Sequence, residues 1–210
     1  MPHRDPVPKK TLIWIGGSKR DLIAMPISLR KEFGVALDIA QQGLSPEGAK
    51  LLKGKAAGAT QLSEDHHGET YRAVYTVALE GCLYVLHCFQ KKSKKGAETL
   101  MPDITHDFEE SSGNVFADLG LPDADDLAYK AGLIGSIMRY QQEHGLSQSA
   151  VALLVDIPQP RLSNLFAGKM SGITSEKLIK ACTRLGRHVR IVIEEHPGEA
   201  VAGRVVMEVA

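Results

Sequence analysis

The sequence predicts an α+β domain followed by an all-α domain that ends in a strand. Three observations lead to this fold class. A strand, helices and a β-hairpin follow one another in the first hundred residues, capped helices fill residues 123–185, and the charge changes sign at Leu100-Met101. At 210 residues the chain also exceeds the usual size of one domain, so two domains are expected.

The charge pattern separates two basic regions. Residues 1–100 hold fifteen Lys or Arg against ten Asp or Glu, and residues 127–190 hold nine against three. Residues 101–126 hold eight acids and no Lys or Arg. Two basic regions are typical of two polyanion-binding surfaces, and the acidic stretch between them has the charge to occupy one of them.

The composition argues against several function classes. No apolar run approaches the roughly 20 residues that cross a bilayer, and the N-terminus lacks the apolar stretch of a secretory signal. The three cysteines, Cys82, Cys88 and Cys182, match no metal-site spacing. We therefore expect a cytoplasmic protein with reduced thiols, no membrane partner, no metal and no cofactor.

The elements of the first half follow from its apolar pattern. Thr11–Ile15 is a short apolar run before two glycines and predicts a strand. The next apolar positions have helical spacing, and Pro26 divides them into two predicted helices. Residues 71–79 and 83–89 are rich in β-branched and aromatic side chains and predict a hairpin, whereas Ala56 to Ala59 is too small and glycine-rich for a core strand.

The second strand of this hairpin carries cationic chemistry. Period-2 alternation places Val85, His87, Phe89 and Lys91 on one face. A histidine, an aromatic ring and a lysine on one face suit the stacking of a base and contact with its phosphate. The alternatives are that the lysines from Lys91 onward form a solvated tail and that His87 is a satisfied core histidine.

Four segments of the first half form a specific set: Leu12-Ile-Trp-Ile-Gly-Gly-Ser-Lys-Arg-Asp-Leu, Lys53-Gly, Tyr71-Arg-Ala-Val-Tyr and Val85-Leu-His-Cys-Phe-Gln-Lys-Lys-Ser-Lys-Lys. Over about residues 11–96 they resemble the RelE/HigB toxin superfamily, in its phage-derived HigB-like branch. The resemblance implies a ribosome-dependent mRNA endonuclease that cleaves without a metal and leaves a 2′,3′-cyclic phosphate.

By this resemblance the RNA site consists of Lys53, Arg72, Tyr75, His87, Lys91 and Lys92. His87 or Tyr75 would move protons, and Arg72 and the lysines would hold the phosphate. Arg72 and Tyr75 have opposite parity on their strand, so they share a face only if a bulge or twist intervenes. The family's usual helical segment after the lysine block is missing here, which implies an inhibited or impaired toxin.

The second half predicts four helices and a strand. These are a helix from Asp123 to Gly145, a second opened by the cap Ser147, a third at Gln159–Gly168 after an Asp156-Ile157-Pro158 turn, a fourth at Ser175–Leu185, and a strand at 187–195. The spacing of the second and third helices fits a helix-turn-helix. The alternative is a plain helical bundle whose exposed polar residues have no partner.

The expected DNA contacts lie on and around the third helix. We expect it to present Gln159, Arg161, Ser163 and Asn164, with Ser147, Gln148 and Lys169 suited to phosphates. Gln and Asn can pair bidentately with adenine, and Arg with guanine.

Three further segments, Glu109-Glu-Ser-Ser-Gly-Asn-Val-Phe-Ala-Asp-Leu-Gly, Gly145-Leu-Ser-Gln and Gln159-Pro-Arg-Leu-Ser, carry a second resemblance. Over about residues 108–193 they resemble Xre-type regulators, specifically HigA-like antitoxins. The resemblance implies a homodimer that binds palindromic operator DNA and represses its own operon. The strand at 187–195 would pair either across such a dimer or within the chain. Asp156 stands where the family has glycine, and it tolerates a left-handed backbone better than most residues.

The chain is thus expected to be a toxin–antitoxin fusion with four parts: a toxin domain at 1–99, an acidic connector at 100–122, a helix-turn-helix domain at 123–195 and a tail at 196–210. Three hypotheses remain open. In the first, the chain is a DNA-binding repressor with a tethered RNase that is inactive, either because the acidic connector masks it or because its missing tail damages it. In the second, it is an active mRNA endonuclease that its fused regulator only delivers or restrains. In the third, it is a pure Xre-family regulator whose first domain serves only protein contacts.

Overall fold

A computed structural model describes residues 9–77, 81–91 and 107–192 of the chain. In chain order, the first elements among these residues are six strands and two helices: β1 (Thr11–Ile15), α1 (Ser18–Ile23), α2 (Ile27–Gln41), β2 (Lys50–Leu51), β3 (Ala59–His66), β4 (Glu69–Thr76), β5 (Cys82–Lys91) and β6 (Phe108–Glu110). Five helices follow: α3 (Val115–Asp118), α4 (Ala124–Glu143), α5 (Gln148–Val155), α6 (Gln159–Phe166) and α7 (Ser175–Arg184). The predicted α+β class is confirmed.

The strands form one sheet in the order β2-β3-β4-β5-β1-β6. β1 runs parallel to β5, and the other neighbours are antiparallel. The helices α1 and α2 pack on one face of this sheet, where Leu12, Trp14, Leu62 and Val85 are buried with them. Burial of that face removes apolar side chains from water and leaves the opposite face available to polar groups.

The sequence did not predict β3. Its first residue, Ala59, lies in the glycine-rich stretch judged unsuitable for a strand, and Leu62 is its only large apolar side chain. The other positions are small or polar, so the alternation that identifies a half-buried strand is weak. β3 pairs with β4 along its whole length, from Ala59 opposite Thr76 to His66 opposite Glu69. The hydrogen bonds of this pairing stabilise a strand that its own side chains only weakly favour.

A bulge in β5 overturns the expected face of Val85. Tyr75 of β4 pairs with Val85, but the residue before it, Val74, pairs with His87. Leu86 has no partner and is the extra residue of β5. An extra residue reverses the parity of everything that follows it. Val85 is therefore fully buried against the helices, while His87 and the residues two and four positions beyond it face the other side.

Local signals in the second half act as predicted. The Ser147 hydroxyl accepts a hydrogen bond from the backbone N–H of Ala150 at the start of α5. Asp156 ends α5 in the left-handed conformation, with φ 55°. Ser147 satisfies one of the free N–H groups of the helix, and the left-handed residue turns the chain toward α6.

The strand predicted at 187–195 is not found where the structure describes it. Residues 187–192 have no strand pairing, and Ile191 and Val192 are exposed. Residues 193–195 and the predicted tail lie outside the described residues. A segment with alternating apolar and polar side chains forms a β-strand only when it pairs with a neighbouring strand. Residues 187–192 have no such partner among the described residues.

The acidic stretch joins the two halves. Its residues Phe108–Glu110 form β6 and pair with β1, which extends the sheet. Phe116 of α3 is fully buried against α2, where a Cβ on Gly34 would lie 2.9 Å from the ring. Only glycine permits this approach, because real Cβ atoms do not come so close to other heavy atoms.

A second contact joins α4 to the end of α2. The amide of Gln42 lies against Gly135, where a Cβ would be 2.0 Å from Oε1, and the Arg139 guanidinium donates to the carbonyl of Gln42 at 3.0 Å. Side chains from both halves, including Phe33, Phe116 and Phe166, belong to one continuous apolar core. The two halves therefore stabilise each other.

Candidate nucleic-acid interfaces

The first candidate site lies on the sheet face opposite α1 and α2. Arg72 pairs with Phe89, and Val74 pairs with His87, so these side chains lie next to one another across β4 and β5. The rings of His87 and Phe89 are stacked, with centroids 5.0 Å apart and an interplanar angle of 21°. Lys91 ends the strand and is exposed. The structure thus brings together an imidazole, an aromatic ring and two cations.

Polar groups of β3 orient Arg72. Its Nη1 donates to Oε1 of Gln61 at 3.2 Å, and Nε2 of Gln61 donates to the Ser63 hydroxyl at 3.0 Å. The Nε of Arg72 is buried and has no partner among the described residues. Sequence reasoning missed Gln61 and Ser63, because it did not predict β3 at all.

Tyr75 lies on the opposite face of the sheet from Arg72 and His87. It is 4% exposed on the helix-facing side of β4, and burial raises the pKa of its hydroxyl, although a hydrogen bond with Thr60 lowers it in part. The bulge lies in β5 and not in β4, so Arg72 and Tyr75 keep their opposite parity. A buried tyrosine on the far side of the sheet cannot exchange protons with a group bound beside Arg72.

The remaining two predicted RNA contacts are less closely tied to the sheet face. Lys53 is exposed in the connection between β2 and β3, just before a short 3-10 turn. Lys92 lies outside the described residues. The face is therefore defined by Arg72, His87, Phe89 and Lys91.

The described part of the acidic stretch takes a different route from this face. β6 lies beyond β1, which separates it from β5. Glu109 pairs with Lys19 on α1, and Asp123 pairs with Lys31 on α2 at 2.8 Å. Residues 107–122 therefore give no support to the expected masking of Arg72 and His87, and residues 100–106 lie outside the described residues.

The second candidate site is the helix-turn-helix surface of α5 and α6. Asn164 and Gln159 are exposed on α6, and Nε2 of Gln159 donates to Oε1 of Gln148 at 3.1 Å. Ser147 caps α5, while Arg161 donates to the carbonyl of Ser171 just after α6. Leu162, Leu165 and Phe166 of α6 are buried. The Gln159 amide is thus held by Gln148, the first residue of α5.

Two of the predicted DNA contacts are bonded to the N-terminal half instead. Gln148 and Ser163 both donate to the carboxylate of Glu47, at 2.8 and 3.0 Å. Lys169 approaches Glu64 of β3, with Nζ 3.9 Å from Oε2. Sequence reasoning missed Glu47, and no local signal could have found it, because its partners are 101 and 116 residues away.

A pair of carboxyl groups lies beside this junction. Burial, followed by the charge of Glu32, raises the pKa of Glu64 to about 7, while Lys169 lowers it in part. Burial also raises the pKa of Glu32. Glu32 and Glu64 are hydrogen-bonded to each other, so one of them holds a proton more readily than an exposed carboxyl does.

Metal clusters and membrane spans are both absent from residues 9–77, 81–91 and 107–192. Among these residues, no cluster of three or more His, Cys, Asp or Glu side chains could hold a metal ion. Within the same ranges, no helix combines the length and the apolar character needed to cross a membrane.

Comparisons with known proteins match two separate parts of the chain. Residues 20–109 match the family model "Phage derived protein Gp49-like (DUF891)", and residues 115–194 match a "Helix-turn-helix domain" model. A solved chain named "Putative XRE Family Transcriptional Regulator" is 31% identical over 42% of this chain and 100% of that chain, with a TM-score of 0.39. No curated protein matches. The chain is therefore similar to a Gp49-like phage-derived protein over residues 20–109 and to a helix-turn-helix domain over residues 115–194.

Proposed function

We propose that this chain is a DNA-binding regulator of the toxin–antitoxin class, in which a HigA-like helix-turn-helix domain is fused to a RelE/HigB-type toxin domain. The observation that carries the proposal is the α5–α6 unit, with its capped start, its left-handed turn at Asp156 and its exposed amides. The match of residues 115–194 to a helix-turn-helix model supports it.

The chemistry of α6 favours direct reading of bases. A helix-turn-helix places the exposed residues of its second helix in the major groove. Gln159 and Asn164 are exposed there, and amide side chains can pair bidentately with the N6 and N7 edge of adenine. Gln148 fixes the amide of Gln159, which reduces the side-chain entropy that DNA binding would otherwise cost.

Selection of bound duplexes from a random pool tests this function. The full-length protein should enrich a defined sequence, and Gln159→Ala and Asn164→Ala should each weaken binding to it by about 1–3 kcal/mol. Gln142→Ala, on the exposed end of α4, is the matched control and should bind as the wild type does. A wild-type protein that enriches no duplex would contradict DNA reading.

A second candidate function, cleavage of mRNA on the ribosome, is supported by the face that Arg72, His87, Phe89 and Lys91 share. On that proposal His87 moves a proton, and Arg72 and Lys91 stabilise the charge on the phosphate. Expression of the full chain should then arrest growth, and His87→Ala or Arg72→Ala should relieve the arrest. Gln90→Ala serves as the control, because Gln90 lies on β5 beside Phe89 but on the opposite face from His87.

If the wild-type chain cleaves no message in a translating extract, the pure-regulator hypothesis gains support. The contacts of α2 with α3 and α4 would support that hypothesis, because they use the first domain to hold the second. Homodimerisation on a palindromic operator and a cytoplasmic location stay predictions. Light scattering of the full chain, free and with its selected duplex, tests the dimer.

A further inference from the structure

Glu47 of the N-terminal domain is bonded to both helices of the helix-turn-helix unit. It lies in the connection between α2 and β2, and its side chain reaches the other domain. Oε2 accepts from Nε2 of Gln148 at 2.8 Å, and Oε1 accepts from the Ser163 hydroxyl at 3.0 Å. Each carboxylate oxygen thus takes one donor, one from α5 and one from α6.

Gln148 and Ser163 carry donors of the kind that proteins use to bind the phosphates of DNA. Hydroxyl and amide side chains at the surface of a helix-turn-helix donate to the non-bridging oxygens of a phosphate. A carboxylate likewise presents two anionic oxygens to two donors. Gln148 also holds Gln159, so the same amide links Glu47 to a residue expected to read a base.

The domain junction keeps Glu47 in this position. Gly168, directly after α6, lies so close to the backbone of Glu32 that a Cβ would be 2.8 Å from its carbonyl oxygen. Lys169 faces Glu64 across the same boundary. Since the two domains share a buried core, the carboxylate stays near its donors at a high effective concentration.

We propose that Glu47 occupies the place of a DNA phosphate on the helix-turn-helix, so that the N-terminal domain and duplex DNA compete for Gln148 and Ser163. This proposal rests on the DNA binding proposed above. A phosphate that approached either donor would meet the charge of Glu47 at close range and be repelled. DNA binding then requires that Glu47 move away or lose its charge.

The test compares Glu47→Gln with the wild type in the full-length chain. The amide keeps the size of the side chain and one accepting oxygen, but it removes the charge. The probes are a random 40-base-pair duplex pool and the best duplex selected from it. Glu110→Gln is the matched control, because Glu110 is also exposed, loses the same charge and lies on β6 at the opposite edge of the sheet from β2.

Glu47→Gln should tighten binding at low salt by about fivefold or more, as expected when a like charge is removed beside a phosphate. Its log affinity should also fall more steeply with log salt, by about 0.9 for each additional phosphate that the protein neutralises. The DNA affinity of Glu110→Gln should stay within about twofold of the wild-type affinity, because salt largely screens a charge that lies far from the DNA.

Three results would overturn the proposal, and they are distinguishable. If the wild type binds a selected duplex and Glu47→Gln binds it no more tightly, Glu47 does not compete with DNA, and the regulator function stands. If neither protein binds any duplex although both unfold cooperatively with heat, both the competition and the proposed DNA binding fail. An equal gain in Glu47→Gln and Glu110→Gln would assign the effect to net charge and would also reject this site.

Discussion

The indole N–H of Trp14 donates to Oδ2 of Asp118 at 3.2 Å, across 104 positions of the chain. Trp14 belongs to β1 and is 1% exposed, and Asp118 ends α3. Ser112 donates to the other carboxylate oxygen of Asp118 through its hydroxyl, at 2.7 Å, and its backbone N–H, at 3.1 Å. This carboxylate therefore fixes the segment between the two domains to β1, an interior strand of the N-terminal sheet.

Removal of that carboxylate should destabilise the whole chain. Asp118→Ala leaves the buried indole N–H without its acceptor, and we expect a loss of about 1–3 kcal/mol in the free energy of unfolding. Trp14 is the chain's single tryptophan, so its fluorescence reports on this site in urea titrations. Asp107→Ala, at an exposed carboxyl of the same segment, should change stability little.

The pH dependence of this site has a definite sign. Burial raises the pKa of Asp118, but hydrogen bonds from Ser111, Ser112 and Trp14 together lower it, and the net pKa lies below the usual value. Its contribution is therefore present above the unfolded pKa of about 3.9 and is lost as the pH falls through the folded pKa. The difference in stability between wild type and Asp118→Ala should shrink in acid, and a constant difference would contradict this account.

A methyl group at Gly34 should loosen the junction of α2 and α3. Alanine normally stabilises a helix over glycine by about 1 kcal/mol. Here the added Cβ would meet the Phe116 ring at 2.9 Å, so we expect Gly34→Ala to lower the free energy of unfolding by about 1–3 kcal/mol. Calorimetry checks this, and Phe116→Leu in the Gly34→Ala background should restore part of the loss. A stabilised Gly34→Ala would show that the contact is not tight.

Protonation of Glu64 should couple the domain junction to pH. Burial and Glu32 raise the pKa of Glu64 to about 7 in the folded chain, against about 4.3 when unfolded. Its contribution to stability is therefore greatest below the unfolded pKa and declines as the pH rises from about 4.3 to about 7. Glu64→Gln should be more stable than the wild type at pH 8 and should flatten this decline in urea titrations, whereas Glu110→Gln should keep the wild-type profile.

The left-handed turn of the helix-turn-helix should prefer glycine to alanine. Asp156 has φ 55° and pairs with Arg184 at 3.0 Å and Lys177 at 3.4 Å. Both Asp156→Gly and Asp156→Ala lose these ion pairs, so their difference isolates the backbone. We expect Asp156→Ala to be the less stable by about 1–2 kcal/mol, the usual cost of a Cβ in this conformation. Equal unfolding midpoints would mean that the backbone can relax.

Local sequence patterns identified most of the elements. The apolar run before Gly16-Gly17 predicted β1, Pro26 correctly separated α1 from α2, and Ser147 marked the start of α5. Such signals act within a few residues, so they can be read without the fold. The pattern at 59–66 was too polar to predict β3, and the alternation at 187–192 predicted a strand where the structure has none, because both depend on partner strands.

The candidate sites likewise depend on which strands and helices lie side by side, so the sequence indicated only some of their contacts. Arg72, His87 and Lys91 were expected on one surface, but the bulge at Leu86 and the burial of Tyr75 decide which side chains share it. A bulge is set by the pairing of two strands, so its position is known only when the partner strand is in place. The exposed amides of α6 were expected from helix spacing alone, but the hydrogen bonds of Gln148 and Ser163 to Glu47 were not.

By itself the sequence determined two basic regions, their fold classes and the positions of most helices, because charge, caps and apolar spacing are local properties. Only the tertiary structure decided that the acidic stretch extends the sheet, that Phe116 packs against Gly34 and that Glu47 reaches Gln148 and Ser163. Those contacts join residues about 80–120 positions apart, and their geometry is set by packing of the whole core, which short-range patterns do not encode.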